Sequence, residues 1–175
     1  MPRFTVFTPT FNRAHTIHRG WESLRAQTFV DFEWLVMDDG STDNTAALVE
    51  AWAAESRASG GFEVRYQKVE RSRWSGKHVM WNRALREARG QWFVVLDSDD
   101  ACLPGALEFF AAVTSGPQPR DARGKEVAWH VVLCTDQHGS LVGTPFPRDG
   151  MVSNHLELHW RYGVKGDKWE CYRTD

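Results

Sequence analysis

The stretch Gln91–Asp100, Gln-Trp-Phe-Val-Val-Leu-Asp-Ser-Asp-Asp, decides how the fold is interpreted. Five apolar residues, Trp92–Leu96, run together without polar alternation. Such a run is typical of a strand buried on both faces of a parallel sheet, although periodicity alone does not separate it from a buried helical segment. Three carboxylates follow within Asp97–Asp100. Because like charges at this spacing repel each other, the cluster indicates a bound divalent cation; the alternative is a solvated turn that caps the next helix.

The composition is that of a globular domain and disfavours several classes of protein. The 175 residues are 42% hydrophobic and 25% charged, with a formal net charge of −2, so no nucleic-acid partner is expected. The three cysteines are an odd number without metal-like spacing, which favours a reducing cytoplasm. A strand pattern follows Arg3 directly and no apolar run could cross a bilayer, so neither a signal peptide nor an integral membrane segment is expected. Peripheral contact with the inner membrane face stays open.

Strand and helix patterns alternate along the chain. The predicted strands are Phe4–Thr8, Phe32–Met37, Phe62–Tyr66, Trp92–Leu96 and Val127–Cys134. The helices between them are predicted from residues at helical spacing: Ile17, Trp21 and Leu24; Leu48, Val49 and Trp52; Lys77–Arg89 with Gly90 as its C-cap; and Leu107, Phe110 and Ala111 after Pro104. This order predicts an α/β fold with a mostly parallel central sheet flanked by helices.

The pattern weakens in the last third of the chain. Ser115–Lys125 is rich in proline, glycine and charge and is the best candidate for a boundary or loop. Gly139-Ser140 predicts a hairpin turn, and Val152–Tyr162 predicts a short helix. Earlier in the chain, Glu70–Gly76 is polar and basic and predicts a further loop.

Three of the predicted strands end in polar residues of the kind that bind ligands, namely Thr8–Arg13, Asp38-Asp39 and Asp97–Asp100. Carboxyl ends of parallel strands meet at one edge of a sheet, so one shared site is expected there. The glycine-rich fingerprint of dinucleotide-binding folds is missing, and Gly76-Lys77-His78 lacks the flanking residues of a P-loop. Dehydrogenases and P-loop nucleotide hydrolases are therefore disfavoured.

Four segments at these positions resemble family 2 glycosyltransferases, which are inverting, nucleotide-sugar-dependent enzymes with the GT-A fold. The segments are Pro9–Arg13, Val36–Asp43, Gly76-Lys77-His78 with Asn82, and Leu96–Asp100, in family order over about residues 3–113. The resemblance implies a hexosyltransferase of polysaccharide biosynthesis with a UDP-sugar donor and a saccharide or lipid-linked acceptor. It also implies one structural domain with a donor half, residues 1–114, and a partial acceptor-side region, residues 115–175. A dimer is left open.

The resemblance implies a role for each matching residue. The nucleotide-sugar pocket would be lined by Thr8, Pro9, Thr10, Asn12, Arg13, Asp38, Asp39, Lys77, Asp97 and Ser98. Asp39, or its neighbour Asp38, resembles the family aspartate that hydrogen-bonds the base. A carboxylate that accepts an imide N–H favours uracil or thymine over cytosine, because a mismatch leaves buried polar groups unpaired. Lys77 is placed to reach the base or the diphosphate.

Asp97 and Asp99 match the DXD motif of this family. In the family the first carboxylate contacts the ribose or the metal, and the second binds the cation that bridges both phosphates. The implied cofactor is therefore Mn²⁺ or Mg²⁺, which would neutralise charge on the departing diphosphate.

An inverting transfer also needs a carboxylate base that deprotonates the acceptor hydroxyl. In the family this residue lies well after the DXD motif. Only Asp167 and Glu170 are candidates here, in a segment that looks like the middle of a domain. We therefore expect the acceptor half to be truncated or supplied by another chain, and transfer by this length of chain to be slow.

Several alternatives stay open. Asp38-Asp39 has an alternative role in a turn and helix entry, and Lys77-His78 has an alternative role as a solvated helix start. His155 and His159 lie four residues apart and could hold a metal, although not in the H-E-x-x-H order. A sugar nucleotidyltransferase would carry a glycine-rich basic loop after the first strand, and Thr8–Arg13 has no glycine. A nucleotide-sugar-binding module without catalysis, or an incomplete fragment, is the non-enzyme alternative.

Overall fold

The computed structural model describes residues 1–71 and 76–174 of the protein. Within them six strands form one sheet: β1 (Phe4–Thr10), β2 (Phe32–Asp38), β3 (Glu63–Lys68), β4 (Trp92–Val95), β5 (Trp129–Leu133) and β6 (Lys168–Arg173). The α-helices are α1 (His18–Arg25), α2 (Thr45–Ser59), α3 (Lys77–Glu87) and α4 (Ala106–Val113). The predicted loop Glu70–Gly76 lies partly outside the described residues, because these exclude 72–75.

Four parallel strands form the first part of the sheet, in the order β3-β2-β1-β4. Phe4 of β1 pairs with both Phe32 of β2 and Trp92 of β4, so these three strands start level. Every residue of β2 is buried, and so are the first three residues of β4. The prediction of a strand covered on both faces is confirmed for Trp92–Leu96, with β4 itself ending at Val95.

Helices cover both faces of this parallel part. On one face α1, α2 and α4 pack against a cluster in which Trp21, Trp34 and Trp52 stack with ring centroids 5.6, 6.1 and 6.2 Å apart. On the other face α3 contributes Met80 and Ala84 to a second cluster. The predicted α/β fold with a mostly parallel sheet is therefore confirmed.

The last strand, β6, is absent from the sequence prediction. It runs antiparallel between β4 and β5, which makes the sheet mixed. A signal was present, because the polar Lys168, Glu170 and Tyr172 alternate with Trp169 and Cys171 as in a half-buried strand. The insertion of β6 moves β5 to the edge of the sheet, where each of its residues is only partly buried. The sequence predicted a core strand over Val127–Cys134. The strand is present as β5, but the prediction that it is buried in the core was wrong.

Two helix predictions also need correction. Helix α3 ends at Glu87, and Gly90 is not its C-cap. Gly90 instead packs against the backbone of β1, where an added Cβ would lie 2.3 Å from the nitrogen of Thr5. Within the predicted helix Val152–Tyr162 the structure forms a π-helical turn, Glu157–Arg161.

The predicted hairpin turn at Gly139-Ser140 is confirmed. Thr135 and Leu141 form an antiparallel bridge across it, and the nitrogen of Asp136 donates to the carbonyl oxygen of Ser140 at 2.9 Å. Ser115–Lys125 contains no helix or strand and connects α4 to β5.

Candidate functional site

The carboxyl ends of β1, β2 and β4 meet at one edge of the sheet, because these strands are parallel neighbours. At this edge Thr10 pairs with Asp38, and the nitrogen of Asp39 donates to the carbonyl oxygen of Thr10 at 2.9 Å. The chain leaving β4 places Asp97–Asp100 at the same edge. The structure thus brings together the three polar segments that the sequence predicts to share a site. We call this region the donor edge, after the nucleotide-sugar donor pocket that the resemblance implies there.

The two neighbouring aspartates at the end of β2 have different surroundings. Asp38 is fully buried, and its Oδ1 accepts the backbone N–H of Ser41 at 2.7 Å while its Oδ2 accepts the hydroxyl of Tyr66 at 2.5 Å. Burial and the Asp38 carboxylate raise the pKa of Tyr66, which keeps this hydroxyl a donor. Asp39 is 7% exposed, and its Oδ1 has no partner among the described residues. Asp39 therefore has the free acceptor atom.

The two threonines of β1 also differ. Thr8 is buried and its Oγ1 accepts the indole N–H of Trp34 at 2.9 Å. Thr10 is 5% exposed, and its Oγ1 is without a hydrogen-bond partner in the described part of the chain. Pro9, between them, is half-buried. Thr10 rather than Thr8 therefore offers a free hydroxyl at the donor edge.

Asn12 connects the loops that follow β1 and β2. Its φ of 54° lies in the left-handed region that asparagine tolerates better than most residues. Its Oδ1 accepts the backbone N–H of Thr42 at 2.9 Å, and its own N–H donates to Ser41 Oγ at 2.8 Å. Beside it, the N–H of Arg13 donates to Thr45 Oγ1 at 3.0 Å. The Asn12 side chain thus fixes the shape of the predicted pocket, with its oxygen already occupied by protein.

Basic side chains pair with the carboxylates of Asp97 and Asp99. Lys77 Nζ lies 2.6 Å from Asp97 Oδ2, whereas Asp97 Oδ1 is buried and has no partner within residues 1–71 and 76–174. Arg13 Nη2 lies 3.8 Å from Asp99 Oδ2, and both of these side chains are over 40% exposed. Ser98, between the two aspartates, is buried. Lys77 and Arg13 therefore offset part of the negative charge of Asp97 and Asp99.

Negative charge accumulates at this end of the sheet. Burial, together with the charges of Asp97, Asp99 and Asp167, raises the pKa of Asp100, and Lys77 partly opposes this shift. Like charges so close favour a bound cation. Among the described residues no three His, Cys, Asp or Glu side chains are grouped to hold a metal. A cation at the donor edge would therefore take one or two protein carboxylates and complete its coordination with oxygens of a ligand.

A contact between Phe11 and Arg71 at the donor edge escaped sequence reasoning. The Arg71 guanidinium lies 3.7 Å from the centroid of the Phe11 ring, which is 38% exposed. Arg71 also packs on Gly40, where an added Cβ would come within 3.0 Å of Arg71 Cβ. No spacing pattern in the sequence joins two residues so far apart.

The candidate bases lie in different environments. Asp167 directly precedes β6, whose first residue lies beside the carboxyl end of antiparallel β4, and its charge reaches Asp100. Glu170 lies inside β6, and its carboxylate accepts a hydrogen bond from the hydroxyl of Tyr172. Asp167 therefore lies near the donor edge, whereas the carboxylate of Glu170 is occupied by Tyr172.

A cavity of about 400 Å³ lies elsewhere, between α4, β5 and the segment 146–153. Most of its lining is apolar and includes Phe109, Val113, Val131 and Met151, and none of the predicted site residues contributes. The predicted site residues thus lie at an open edge of the sheet and outside this cavity.

The helices in the described part of the chain are too short or too polar to cross a bilayer.

The sequence profile of the family described as Glycosyl transferase family 2 matches residues 5–115. One relative is the GalNAc(5)-diNAcBac-PP-undecaprenol beta-1,3-glucosyltransferase of Campylobacter jejuni. It is 32% identical over 107 residues, which cover 61% of this chain and 33% of that protein.

Two solved structures share the fold. Staphylococcus aureus TarS 1-349 in complex with UDP-GlcNAc is 33% identical with a TM-score of 0.55, covering 63% of this chain and 30% of that one. The mannosyltransferase PcManGT from Pyrobaculum calidifontis, in complex with GDP-Man and Mn²⁺, is 27% identical with a TM-score of 0.58, covering 70% of this chain and 36% of that one.

The chain spans about a third of the length of the relatives it matches. The profile match extends over more than half of the chain and includes β1 to β4 with α1 to α4. By this match, and by a fold shared with solved members of the GT-A class, the chain belongs to glycosyl transferase family 2.

Proposed function

We propose that residues 1–114 bind the donor of a glycosyltransferase that moves a hexose from a UDP-sugar to an acceptor hydroxyl with inversion. One observation carries this proposal. Three buried oxygens, Thr10 Oγ1, Asp39 Oδ1 and Asp97 Oδ1, lack hydrogen-bond partners among the described residues and lie at the donor edge. A buried polar atom without a partner costs free energy, so three of them at one edge support a polar ligand there.

Base recognition is assigned to Asp39, because both oxygens of Asp38 are already occupied. The free Asp39 Oδ1 accepts the imide N–H of uracil. Cytosine presents an acceptor nitrogen at that position and would leave two acceptors facing each other. The stacked pair of Phe11 and Arg71, next to Gly40, forms a wall of the same region. TarS, solved with UDP-GlcNAc, supports a uridine donor for this family member.

Asp97 and Asp99 are the residues that would hold Mn²⁺ or Mg²⁺. The donor set fits a hard cation, since Asp97 Oδ1 is unpaired and the Asp99 carboxylate is exposed. The ion, when bound, supplies Lewis-acid neutralisation of the leaving diphosphate. PcManGT, solved with GDP-Man and Mn²⁺, supports such a cation. Lys77 and Arg13 bind phosphate oxygens from either side and reduce the repulsion between the donor and the aspartates.

The acceptor side is assigned to residues 115–175, with Asp167 as the base. Asp167 takes the proton of the acceptor hydroxyl, and that oxygen forms a bond to the anomeric carbon on the face opposite the diphosphate. The bond between the anomeric carbon and the diphosphate oxygen breaks, and UDP leaves with the bonding electrons. Glu170 is less suited, since its carboxylate already accepts the Tyr172 hydroxyl. The Campylobacter jejuni relative, whose acceptor is linked to undecaprenol, supports a lipid-linked saccharide as acceptor.

A second candidate is a nucleotide-sugar-binding module that does not transfer sugar. It is favoured by the extent of the family match, which covers residues 5–115 and does not reach the proposed base Asp167. Release of UDP from a UDP-sugar in the presence of acceptor saccharides distinguishes the two, because a binding module gives none.

Calorimetric titration of UDP in Mn²⁺ and in chelator tests the donor site. We expect binding about tenfold or more weaker in chelator, where Asp97 and Asp99 face the diphosphate as bare charges. Asp99→Asn should remove most of this difference. Asp121→Asn, which changes a half-buried carboxylate in the α4–β5 connection, is the matched control and should keep the difference between Mn²⁺ and chelator.

Base choice is tested in the same experiment with CDP. We expect CDP to bind more weakly than UDP by about 1 kcal/mol or more, as for an unmatched buried hydrogen-bond pair. Equal UDP affinity with and without Mn²⁺ would contradict the metal assignment, and equal affinity for CDP would contradict the role of Asp39.

A further inference from the structure

A second pocket, of about 250 Å³, lies between β5, β6 and the π-helical turn. Its lining includes four side chains that are positively charged or become so on protonation, namely His155, His159, Lys165 and Lys168. The ring of Trp129 also contributes, and the described lining contains no carboxylate. We call this the basic pocket.

The two lysines of the basic pocket have no carboxylate partner in the described part of the chain. Lys168 Nζ donates to the carbonyl oxygen of Gly166 at 2.8 Å, and Lys165 is exposed. Two carboxylates lie close to this loop without forming an ion pair with either lysine: Glu170 accepts the Tyr172 hydroxyl, and the charge of Asp167 acts on Asp100 and on Cys134. Positive groups gathered around one pocket repel each other, so an anionic ligand would stabilise them.

The frame of the basic pocket is fixed by a close crossing of two backbone segments. The nitrogen of Lys165 donates to Thr144 Oγ1 at 2.9 Å, and the nitrogen of Thr144 donates to the carbonyl oxygen of Lys165 at 3.1 Å. A Cβ added to Gly143 would lie only 2.1 Å from that same oxygen. On the other side, the nitrogen of Val164 donates to the carbonyl oxygen of Leu158 in the π-helical turn at 2.9 Å. The lysines are therefore carried by a preorganised loop, which lowers the entropy cost of binding.

An aromatic surface accompanies the positive charges. Trp129 stacks on Tyr172 with ring centroids 6.1 Å apart and planes 10° from parallel, and the His155 ring lies 6.2 Å from Trp129. An aromatic ring beside polar groups suits a ligand with one apolar face and one polar end. A pyranose ring with an anionic substituent has this combination.

The basic pocket lies beside the donor edge. Lys168 is the first residue of β6, and antiparallel β6 begins where β4 ends. Asp167, the proposed base, lies in the sequence between Lys165 and Lys168. A ligand bound by both lysines therefore lies next to the Asp167 backbone.

We propose that the basic pocket is an acceptor-side subsite for a phosphorylated saccharide, with Lys165 and Lys168 binding the phosphate and Trp129 contacting the sugar ring. Its role as an acceptor subsite rests on the proposed function, whereas the binding of the phosphorylated sugar does not. The direct test is calorimetric titration of glucose 1-phosphate, glucose and inorganic phosphate in chelator, which prevents bridging by a metal.

We expect glucose 1-phosphate to bind about tenfold or more tightly than glucose, and inorganic phosphate to bind between them because it lacks the ring contact. Lys165→Ala and Lys168→Ala should each weaken glucose 1-phosphate about tenfold, the order expected for a lost charge-assisted contact. Lys125→Ala, which removes an exposed lysine in the α4–β5 connection, is the matched control and should bind like the wild type. Unchanged UDP affinity in Mn²⁺ would show that the lysine variants are folded.

Three results would overturn the proposal. Equal affinities for glucose and glucose 1-phosphate would show that the phosphate contributes nothing to binding. Equal affinities for inorganic phosphate and glucose 1-phosphate would show the same for the sugar ring. Loss of glucose 1-phosphate binding in Asp99→Asn would place this ligand at the donor edge instead. By contrast, a chain that binds glucose 1-phosphate as expected but does not bind UDP in Mn²⁺ would contradict the proposed function alone.

Discussion

The parallel part of the molecule, residues 1–114, and the C-terminal part, residues 115–174, are built in different ways. In the parallel part the central strands β1 and β2 are almost entirely buried, and a buried carboxylate, Glu33, has partners far away in the sequence. In the C-terminal part β5 is only partly buried, and the ion pair between Arg120 and Glu126 has side chains 61% and 39% exposed. Buried side chains thus support the donor edge, whereas exposed contacts and turns support the proposed acceptor side.

The substitution Glu33→Ala should have the largest effect on stability. Glu33 is 1% exposed, and its two oxygens accept from Thr5 Oγ1 at 2.6 Å and from Arg65 Nη1 at 2.9 Å. The variant leaves the largely buried Arg65 guanidinium with only the more distant Glu87 carboxylate, 3.8 Å away, as its ion-pair partner, which should cost about 3–5 kcal/mol of unfolding free energy. Urea denaturation measures this loss.

The matched change in the C-terminal part is Glu126→Ala. It removes exposed pairs with Arg120 and Arg173, so the expected cost is below about 1 kcal/mol. Similar losses of unfolding free energy in Glu33→Ala and Glu126→Ala would show that buried and exposed contacts contribute equally, contrary to the comparison between the two parts.

Gly90→Ala should have the next largest effect. An added Cβ would lie 2.3 Å from the nitrogen of Thr5, so β1 or the 88–90 segment has to shift. Overpacking of this kind costs about 1–3 kcal/mol, measured as a lower urea midpoint. Gly105→Ala is the control, since nothing lies within 4 Å of its added Cβ, and it should stay within about 0.5 kcal/mol of the wild type.

Asn12→Gly tests the connection between the two loops of the donor edge. Glycine keeps the φ of 54° but loses the acceptor for the Thr42 N–H, at an expected cost of about 1 kcal/mol. UDP affinity in Mn²⁺ should fall as well, because the loops lose their fixed spacing. Asp136→Ala, which removes a local turn acceptor for His138 and Ser140 in the C-terminal part, should leave UDP affinity unchanged. A loss of UDP affinity in both Asn12→Gly and Asp136→Ala would contradict the role given to Asn12.

The smallest effect is expected from pH. Burial lowers the pKa of His130 below its usual value of 6.5, so the folded state binds fewer protons than the unfolded state. This contribution to stability is complete above pH 6.5 and is lost as pH falls below it towards the folded pKa. Urea denaturation at about pH 7.5 and about pH 5.5 should show this loss in the wild type and less of it in His130→Gln. The same change of unfolding free energy with pH in both proteins would show that a group other than His130 is responsible.

The parallel part could be predicted from the sequence because its signals are local. Trp92–Leu96 is a continuous apolar run, and Ile17, Trp21 and Leu24 follow helical spacing, so each element is visible in its own residues. The convergence of three strand ends then follows from parallel topology. The buried face of each element is what the sequence encodes most directly.

The remaining features depend on partners distant in sequence. That Asp39 and not Asp38 is free depends on Tyr66, which reaches Asp38 from β3. The contact between Phe11 and Arg71 depends equally on how the loops fold over the sheet. β6 was missed for a different reason, because its alternation is short and its polar residues resemble a loop. Local pattern therefore locates the site, whereas long-range contacts decide which of its atoms are available.

The position of β6 has a consequence for how the chain folds as it is synthesised. In the described residues β5 pairs only with β6, which comes later in the chain and inserts between β5 and β4. A nascent chain can complete β3-β2-β1-β4 while β5, already outside the ribosome, has no strand to join. During that interval the apolar strand Trp92–Val95 is an open edge that can pair with another chain. Arrival of residues 168–173 closes this edge, so β6 protects an apolar strand that was made well before it.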